Sequence, residues 1–269
     1  MIAKEYAFNL KKASGGGRPK KFLIVNCASV KNLGEMMNDV IIPCLDKDVT
    51  ILLDEASELP MPASMALLSM LNPNKENKNQ FAYGDYNINI DFSKQTFLFA
   101  TTEAHKMFHA LMDRLTRVDL EDYSLTELGE IVNKGLNGTK FEDGILEKIS
   151  SVLRGNARQA RKMADDISSY LKRTNQNNFS TEDWKEFIKA LDIHPLGLNQ
   201  TELRVLRVLS ERKETKLTTL AAMMGMSRSS VQRDAELYLQ CHNLMSVGLT
   251  GRAITAKGQA YLRGLTEVA

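Results

Sequence analysis

The sequence predicts an α/β domain built on a parallel sheet with an inserted β-hairpin, then an α-helical domain, then a winged helix. Three observations carry this prediction. Over the first 122 residues, short apolar runs rich in β-branched residues alternate with helical segments, the pattern of a parallel sheet covered by helices. From Ser124 onward the pattern turns helical. After Asn199, a helix-turn-helix is followed by two short strands around Gly248-Leu249-Thr250-Gly251-Arg252, which makes a wing.

Met1 to Leu10 reads as a helix with no Ser, Thr, Asp or Asn in front to cap it, so the chain is expected to start inside an element, as a truncated copy of a longer protein would. Lys11 to Lys21 is a basic, glycine-rich connection. It differs from the phosphate-cradling pattern G-x-x-x-x-G-K-[ST] and precedes a strand rather than a helix. Phe22 to Asn26 is a strand, and Leu33 to Leu45 is a helix that Pro43 ends or kinks. Val49-Thr50-Ile51-Leu52-Leu53 is a buried strand that ends in Asp54-Glu55. Pro60 and Pro62 open a helix through Leu71. Gln80 to Phe92 alternates with period two around Gly84-Asp85, a hairpin. Thr96 to Ala100 is another strand, closed by Thr101-Thr102, and Arg117-Val118-Asp119-Leu120 is expected to be a further one.

Helices are expected near 125–136, 142–153, 156–173 and 181–191, the first opened by the capping box Ser124-Leu125-Thr126-Glu127. His194 to Gly197 is a linker. Asn199 caps a helix to Ser210, Leu217 to Met224 is a short helix, Gly225 turns the chain, and Ser227 caps a recognition helix to about Gln240. Domain boundaries are therefore expected at 1–122, 123–193 and 194–269.

Composition excludes several classes. No apolar run approaches the roughly 20 residues that span a bilayer, and the N-terminus lacks a signal peptide's layout. Cys27, Cys44 and Cys241 are odd in number and scattered, which suggests neither a disulfide framework nor a zinc site and fits a cytoplasmic protein. The net charge of +2 hides an asymmetry: residues 194–269 hold 10 Lys and Arg against 6 Asp and Glu, while residues 1–193 hold 25 against 27. The C-terminal part is thus the better candidate for a polyanion.

The residues that carry chemistry fall in an ordered set. A strand that delivers two carboxylates at its end can support Mg²⁺ through the first, Asp54, and polarise a water through the second, Glu55. A hydroxyl of Thr101 or Thr102 can contact a γ-phosphate or the attacking water; the sequence leaves open which. Arg114 can neutralise charge on a neighbouring subunit's nucleotide. In Arg154-Gly155-Asn156-Ala157-Arg158 an arginine can reach a nucleotide from a lid. Arg158 competes there with Arg154 and Arg161. Arg228 and Arg233 on the recognition helix and Arg252 at the wing are candidates for DNA.

This order resembles the AAA+ ATPases, whose core is of P-loop type, and within them the RuvB family of Holliday-junction branch-migration motors. Ile51 to Glu55 is similar to that family's Walker B strand, Phe81 to Phe92 to its hairpin and Ala100-Thr101-Thr102 to its sensor 1. Arg114 resembles its arginine finger, Gly155 to Arg158 its sensor 2, and Leu196-Gly197-Leu198, Leu220-Ala221 and Thr250 to Thr255 its winged helix. The resemblance implies ATP and Mg²⁺ as cofactors, a homo-hexameric ring, four-way-junction and duplex DNA as substrate, and recombination and repair as the setting. It also implies that Phe81, Tyr83, Ile88 and Ile90 present a docking surface for a RuvA-like junction-binding partner. Three departures accompany it. The Walker A pattern does not occur in these 269 residues, Glu103 stands where the family carries a basic residue, and Leu115 stands where it carries Phe. The first departure raises a rival class, a non-hydrolysing DNA-binding adaptor on the same scaffold. An origin-binding or clamp-loading AAA+ protein is a second rival.

Overall fold

The computed structural model describes residues 2–10, 20–72, 78–84, 86–212 and 214–268. The glycine-rich connection Gly15 to Gly17 and the turn residue Asp85 lie outside them. The chain divides into two compact units, Met1–Asp119 and Leu120–Ala269.

In the first unit, α1 (Ile2–Asn9) leads to β1 (Lys21–Asn26). The helical segment after it runs as α2 (Leu33–Glu35), a wider π turn at Met36–Ile41, and α3 (Ile42–Cys44). The widening has a local cause: Pro43 has no N–H to give, and its ring crowds the carbonyl four residues back. The Ile42 amide accordingly reaches the Met37 carbonyl. Then come β2 (Val49–Asp54), α4 (Met61–Met70), the hairpin β3 (Lys78–Tyr83) and β4 (Tyr86–Asp91), β5 (Gln95–Phe99) and α5 (His109–Met112). β2 is the middle of a parallel sheet in the order β1-β2-β5, with Leu23, Ile51 and Phe97 in one row and Asn26 beside Asp54. Ile51 and Leu53 are fully buried against Met36, Met37, Ile41, Leu67 and Met70 from the helices.

Two expectations are corrected here. Arg117 to Leu120 forms no strand: among the described residues no strand pairs with it, and Val118 and Leu120 stand exposed. The hairpin forms in the expected register, Phe81 opposite Ile88, but its apolar side faces inward. Ile90 is fully buried, and Phe81, Tyr83 and Ile88 pack half-buried on the same core. A side chain at zero exposure cannot greet a partner, so Ile90 is a core residue.

The second unit begins with α6 (Leu125–Gly135), whose capping box closes as expected: the Glu127 amide donates to Ser124 Oγ and the Ser124 amide to the Glu127 carboxylate. β6 (Lys140–Phe141), α7 (Ile145–Ser150), α8 (Ala157–Thr174), β7 (Asn178–Phe179) and α9 (Thr181–Ala190) follow. The helix expected over 142–153 is shorter, and β6 pairs β7 in parallel, so this part is not wholly helical. Phe179 anchors its core, in edge-on contact with Phe141, Tyr170 and Phe187.

The winged helix comprises α10 (Gln200–Ser210), α11 (Leu217–Met224), a recognition helix made of α12 (Arg228–Val231), a π turn at Gln232–Glu236 and α13 (Leu237–Cys241), the wing strands β8 (Met245–Val247) and β9 (Arg252–Ile254), and α14 (Ala256–Val268). Asn199 caps α10 and Ser227 caps the recognition helix. Its join to the preceding helices is tightly specified. Arg154, in a left-handed conformation, places its guanidinium 3.3 Å from the centre of the Tyr238 ring and donates to both oxygens of Glu202 at 2.9 and 3.2 Å. Glu202 is fully buried. The Tyr238 hydroxyl donates to the Leu196 carbonyl at 2.6 Å and that of Tyr261 to the Pro195 carbonyl at 2.7 Å. Gly197 sits so close that a Cβ there would lie 2.2 Å from the Val152 carbonyl oxygen.

Among the described residues, no helix is long and apolar enough to cross a membrane.

Candidate functional site

A parallel sheet gathers its chemistry where its strands end, because the connecting loops open there. β1 ends at Asn26, β2 at Asp54 and β5 at Phe99, just before Thr101. The loop after β2 is held to the end of β5 by backbone: the Ala100 amide donates to the Leu53 carbonyl at 2.9 Å, and the Ala56 amide to the Ala100 carbonyl at 2.8 Å. Glu55 takes a left-handed turn at φ 53°, so the chain bends sharply after Asp54. Both carboxylates stand exposed. An αL residue without glycine's freedom is held at a cost of about 1–3 kcal/mol, which the two backbone bonds around it offset.

The two threonines separate in this geometry. Thr101 Oγ1 donates to Ser57 Oγ at 2.9 Å and accepts the Glu103 amide at 2.9 Å. Its proton is used inside the loop, whereas Thr102 is exposed. Glu103, a departure from the family pattern, pairs with Lys106 at 2.8 Å.

Cys27, at the end of β1, had no assigned role. It is fully buried, and burial together with the charges of Asp54 and Glu55 pushes its thiol from 9.0 up to about 12. The thiolate is the reactive form. With Cys44 also buried and Cys241 exposed, one thiol of three is expected to react with an alkylating reagent in the native chain and all three in denaturant. The sign of the linkage follows. Between about pH 9 and 12 the unfolded chain gives up the Cys27 proton and the folded chain keeps it, so stability from this group is intact below 9 and falls as pH rises to 12. Denaturant melts at pH 8 and 10, compared with those of Cys27→Ala, check this; equal pH dependence in the two chains contradicts it.

Arg114 follows α5, is exposed, and one of its guanidinium nitrogens donates to the Leu68 carbonyl. Arg158 is exposed in the first turn of α8, behind Asn156, whose side chain caps that helix. Of its competitors, Arg154 is committed to Glu202 and Tyr238, so only Arg158 and Arg161 face solvent on that segment.

In the winged helix, Arg228 and Arg233 stand exposed on the recognition helix, Arg233 beside Asp234 at 2.9 Å. Arg252 corrects the sequence reading. Its guanidinium donates to both oxygens of Glu236 at 2.7 and 3.1 Å, with the two side chains only 14% and 4% exposed. It braces the wing from inside and is not offered to a ligand.

The residues can be tested against the implied cofactors. Mg²⁺ accepts one or two carboxylates and keeps several waters. The exposed pair Asp54 and Glu55 suits that, with no third metal-ligating side chain grouped with them among the described residues. A triphosphate is held by the amides and lysine of a G-x-x-x-x-G-K-[ST] loop, a pattern that does not occur in these 269 residues.

The C-terminal part of the chain matches the family model described as the RuvB C-terminal winged helix domain, over residues 195–263. Over 98% of its length the chain is 23% identical to the Holliday junction branch migration complex subunit RuvB of Lactobacillus helveticus, and spans 73% of that protein. It is 28% identical to the same-named protein of Campylobacter hominis over 63% of its own length, spanning 52% of that relative. Among solved structures it resembles the Thermotoga maritima RuvB Holliday junction branch migration motor at TM-score 0.68 and 20% identity, covering 90% of this chain and 78% of that one. A variant of that motor gives TM-score 0.67 at 18% identity, covering 97% and 91%.

Proposed function

Taking the chain as RuvB-like from its α/β core to its winged helix, we propose that it serves as a subunit of a DNA motor that migrates four-way junctions. The carrying observation is the pair Asp54 and Glu55 at the end of the central strand, in one chain with the hairpin between β2 and β5 and a RuvB-type winged helix. In this reading residues 1–122 are the AAA+ core, 123–193 the lid and 194–269 the DNA-binding domain. Asp54 would help hold Mg²⁺, Glu55 would accept a proton from an attacking water, and Thr102 would stand toward the phosphates. Thr101 props the loop. Arg114 would serve as the arginine toward a neighbouring subunit's nucleotide in a hexamer, and Arg158 would be the sensor 2 arginine. When bound, ATP supplies the free energy for lid movement. A RuvA-like partner meets the outward side of the hairpin, at Ala82, Asn87 and Asn89, which are exposed. Three free thiols suit a cytoplasmic setting.

G-x-x-x-x-G-K-[ST] does not occur in these 269 residues, so the test below supplies that loop on a second subunit. The same fact supports the second reading, a DNA-binding adaptor that does not hydrolyse ATP. The test is ATP-dependent dissociation of a labelled four-way junction by rings assembled from this chain, a RuvB subunit bearing that loop, and a junction-binding partner. Arg114→Ala in this chain is expected to slow dissociation at least tenfold, as loss of a transition-state arginine does. A rate indifferent to this chain and to its Arg114 would leave the adaptor standing.

A further inference from the structure

The winged helix carries its most exposed large apolar side chain at a place built to hold it still. Leu249 is fully exposed at the tip of the wing, and Val247, two residues back, is 43% exposed. Solitary exposed leucines are ordinary on protein surfaces. This one stands on a rigid mount. β8 and β9 pair with Val247 opposite Arg252, and the Gly248 amide donates to the Gly251 carbonyl at 2.7 Å across the turn. Thr250, next to Leu249, donates its hydroxyl to Glu214. The wing's inner strand is bridged to Thr215 in both directions, Thr215 amide to Arg252 carbonyl at 2.9 Å and Arg252 amide to Thr215 carbonyl at 2.8 Å. Gly251 lies so near that bridge that a Cβ would sit 2.8 Å from the Thr215 oxygen.

The buried Arg252–Glu236 pair then ties this mount to the recognition helix, because Glu236 belongs to that helix. Arg228 and Arg233 stand exposed on that same helix. Wing and recognition helix, joined by this pair, therefore offer an uncharged apolar tip on one and cationic side chains on the other. The ligand that matches is duplex DNA, with anionic walls and an apolar stack of bases within. Proteins that enter the minor groove drive Leu, Ile, Phe, Met or Pro between base steps and kink the duplex there.

Resting on the DNA-binding reading above, we propose that Leu249 is a wedge that enters the minor groove and unstacks one base step, with Arg252 as the positioning residue that aims it. Tip and frame divide the work: Arg228 and Arg233 provide phosphate attraction, and Leu249 provides the deformation.

The test uses the full chain and a four-way junction with thymine-containing arms, probed by permanganate, which oxidises unstacked thymines. Wild type is expected to create a hyperreactive thymine. Leu249→Ser, on the surface and so expected to fold as wild type, should abolish it and weaken binding about tenfold. The slope of log affinity against log salt should stay unchanged, since no phosphate contact is lost. Leu249→Met should restore the hyperreactive thymine. Arg228→Ala should instead lower the slope by about one. Wild-type binding without a hyperreactive thymine, or a Leu249→Ser chain that keeps it, overturns the wedge. So does a Leu249→Ser chain that changes only self-association in light scattering, which would make the tip a protein contact. Failure of wild type to bind DNA at all is a different result and overturns the function reading itself.

Discussion

Replacing Arg154 with alanine will destabilise the unit Leu120–Ala269 by about 3–5 kcal/mol, the range for stranding a buried charge. Glu202 is fully buried and takes three donors: both guanidinium nitrogens of Arg154 and the Asn199 amide at 2.8 Å. Without Arg154 the carboxylate keeps one amide and no countercharge, and the face of the Tyr238 ring loses its stacked cation. For a unit of this size each kcal/mol moves the melting temperature by about 2–4 °C, so a fall of about 6–20 °C is expected. The pair Arg154→Met with Glu202→Leu should recover most of it, because a hydrophobic replacement removes both desolvated charges at once. Arg158→Ala, four residues on and exposed, should stay within about 0.5 kcal/mol of wild type. Thermal melts of the full chain decide this. A melt of Arg154→Ala within a degree of wild type would mean that Glu202 finds another partner.

The second large effect is on chemistry. Where a phosphate-binding loop completes the site at Asp54 and Glu55, Glu55→Gln will slow turnover there by about 10²–10⁴-fold, the usual cost of removing a general base. Glutamine keeps the size and can hold the same left-handed turn at φ 53°, but it cannot accept the proton. Because Glu55 is exposed, stability should change by less than about 0.5 kcal/mol and DNA affinity should not change. Thr101→Ala is expected to behave differently. It removes the bonds to Ser57 and to the Glu103 amide, so part of its loss of activity comes with a loss of stability. Single-turnover hydrolysis beside a denaturant melt separates the two; a Glu55→Gln chain with unchanged turnover removes this residue from the chemistry.

Much of the frame was readable from sequence because local signals agreed with one another. The apolar run before Asp54-Glu55 reads as a buried strand and forms one, and Ser124, Asn199 and Ser227 each cap the helix expected of them. What sequence could not supply was the identity of partners far along the chain. Arg252 reads as a wing cation until Glu236, 16 residues earlier, is found against it. Arg154 competes with Arg158, which the family spacing favours, until Glu202, 48 residues on, claims Arg154. The hairpin's alternation identifies an apolar side, but period two does not tell core from partner, and Ile90 went to the core. Val118 and Leu120 alternate like a strand, yet alternation without a neighbouring strand leaves the backbone to water. The last helix, Ala256–Val268, is masked by Gly258 and Gly264, poor helix formers. Gly258 has a packing reason: a Cβ there would lie 2.1 Å from the Leu244 carbonyl oxygen.

Whether this chain acts on DNA through its winged helix is decided by the affinity of the full chain for a four-way junction between about 50 and 200 mM salt, the range over which counterion release is read. Binding is expected to weaken steadily with salt, with the slope reduced by about one in Arg228→Ala. Absence of binding at the lowest salt, or binding indifferent to both salt and Arg228, would contradict it.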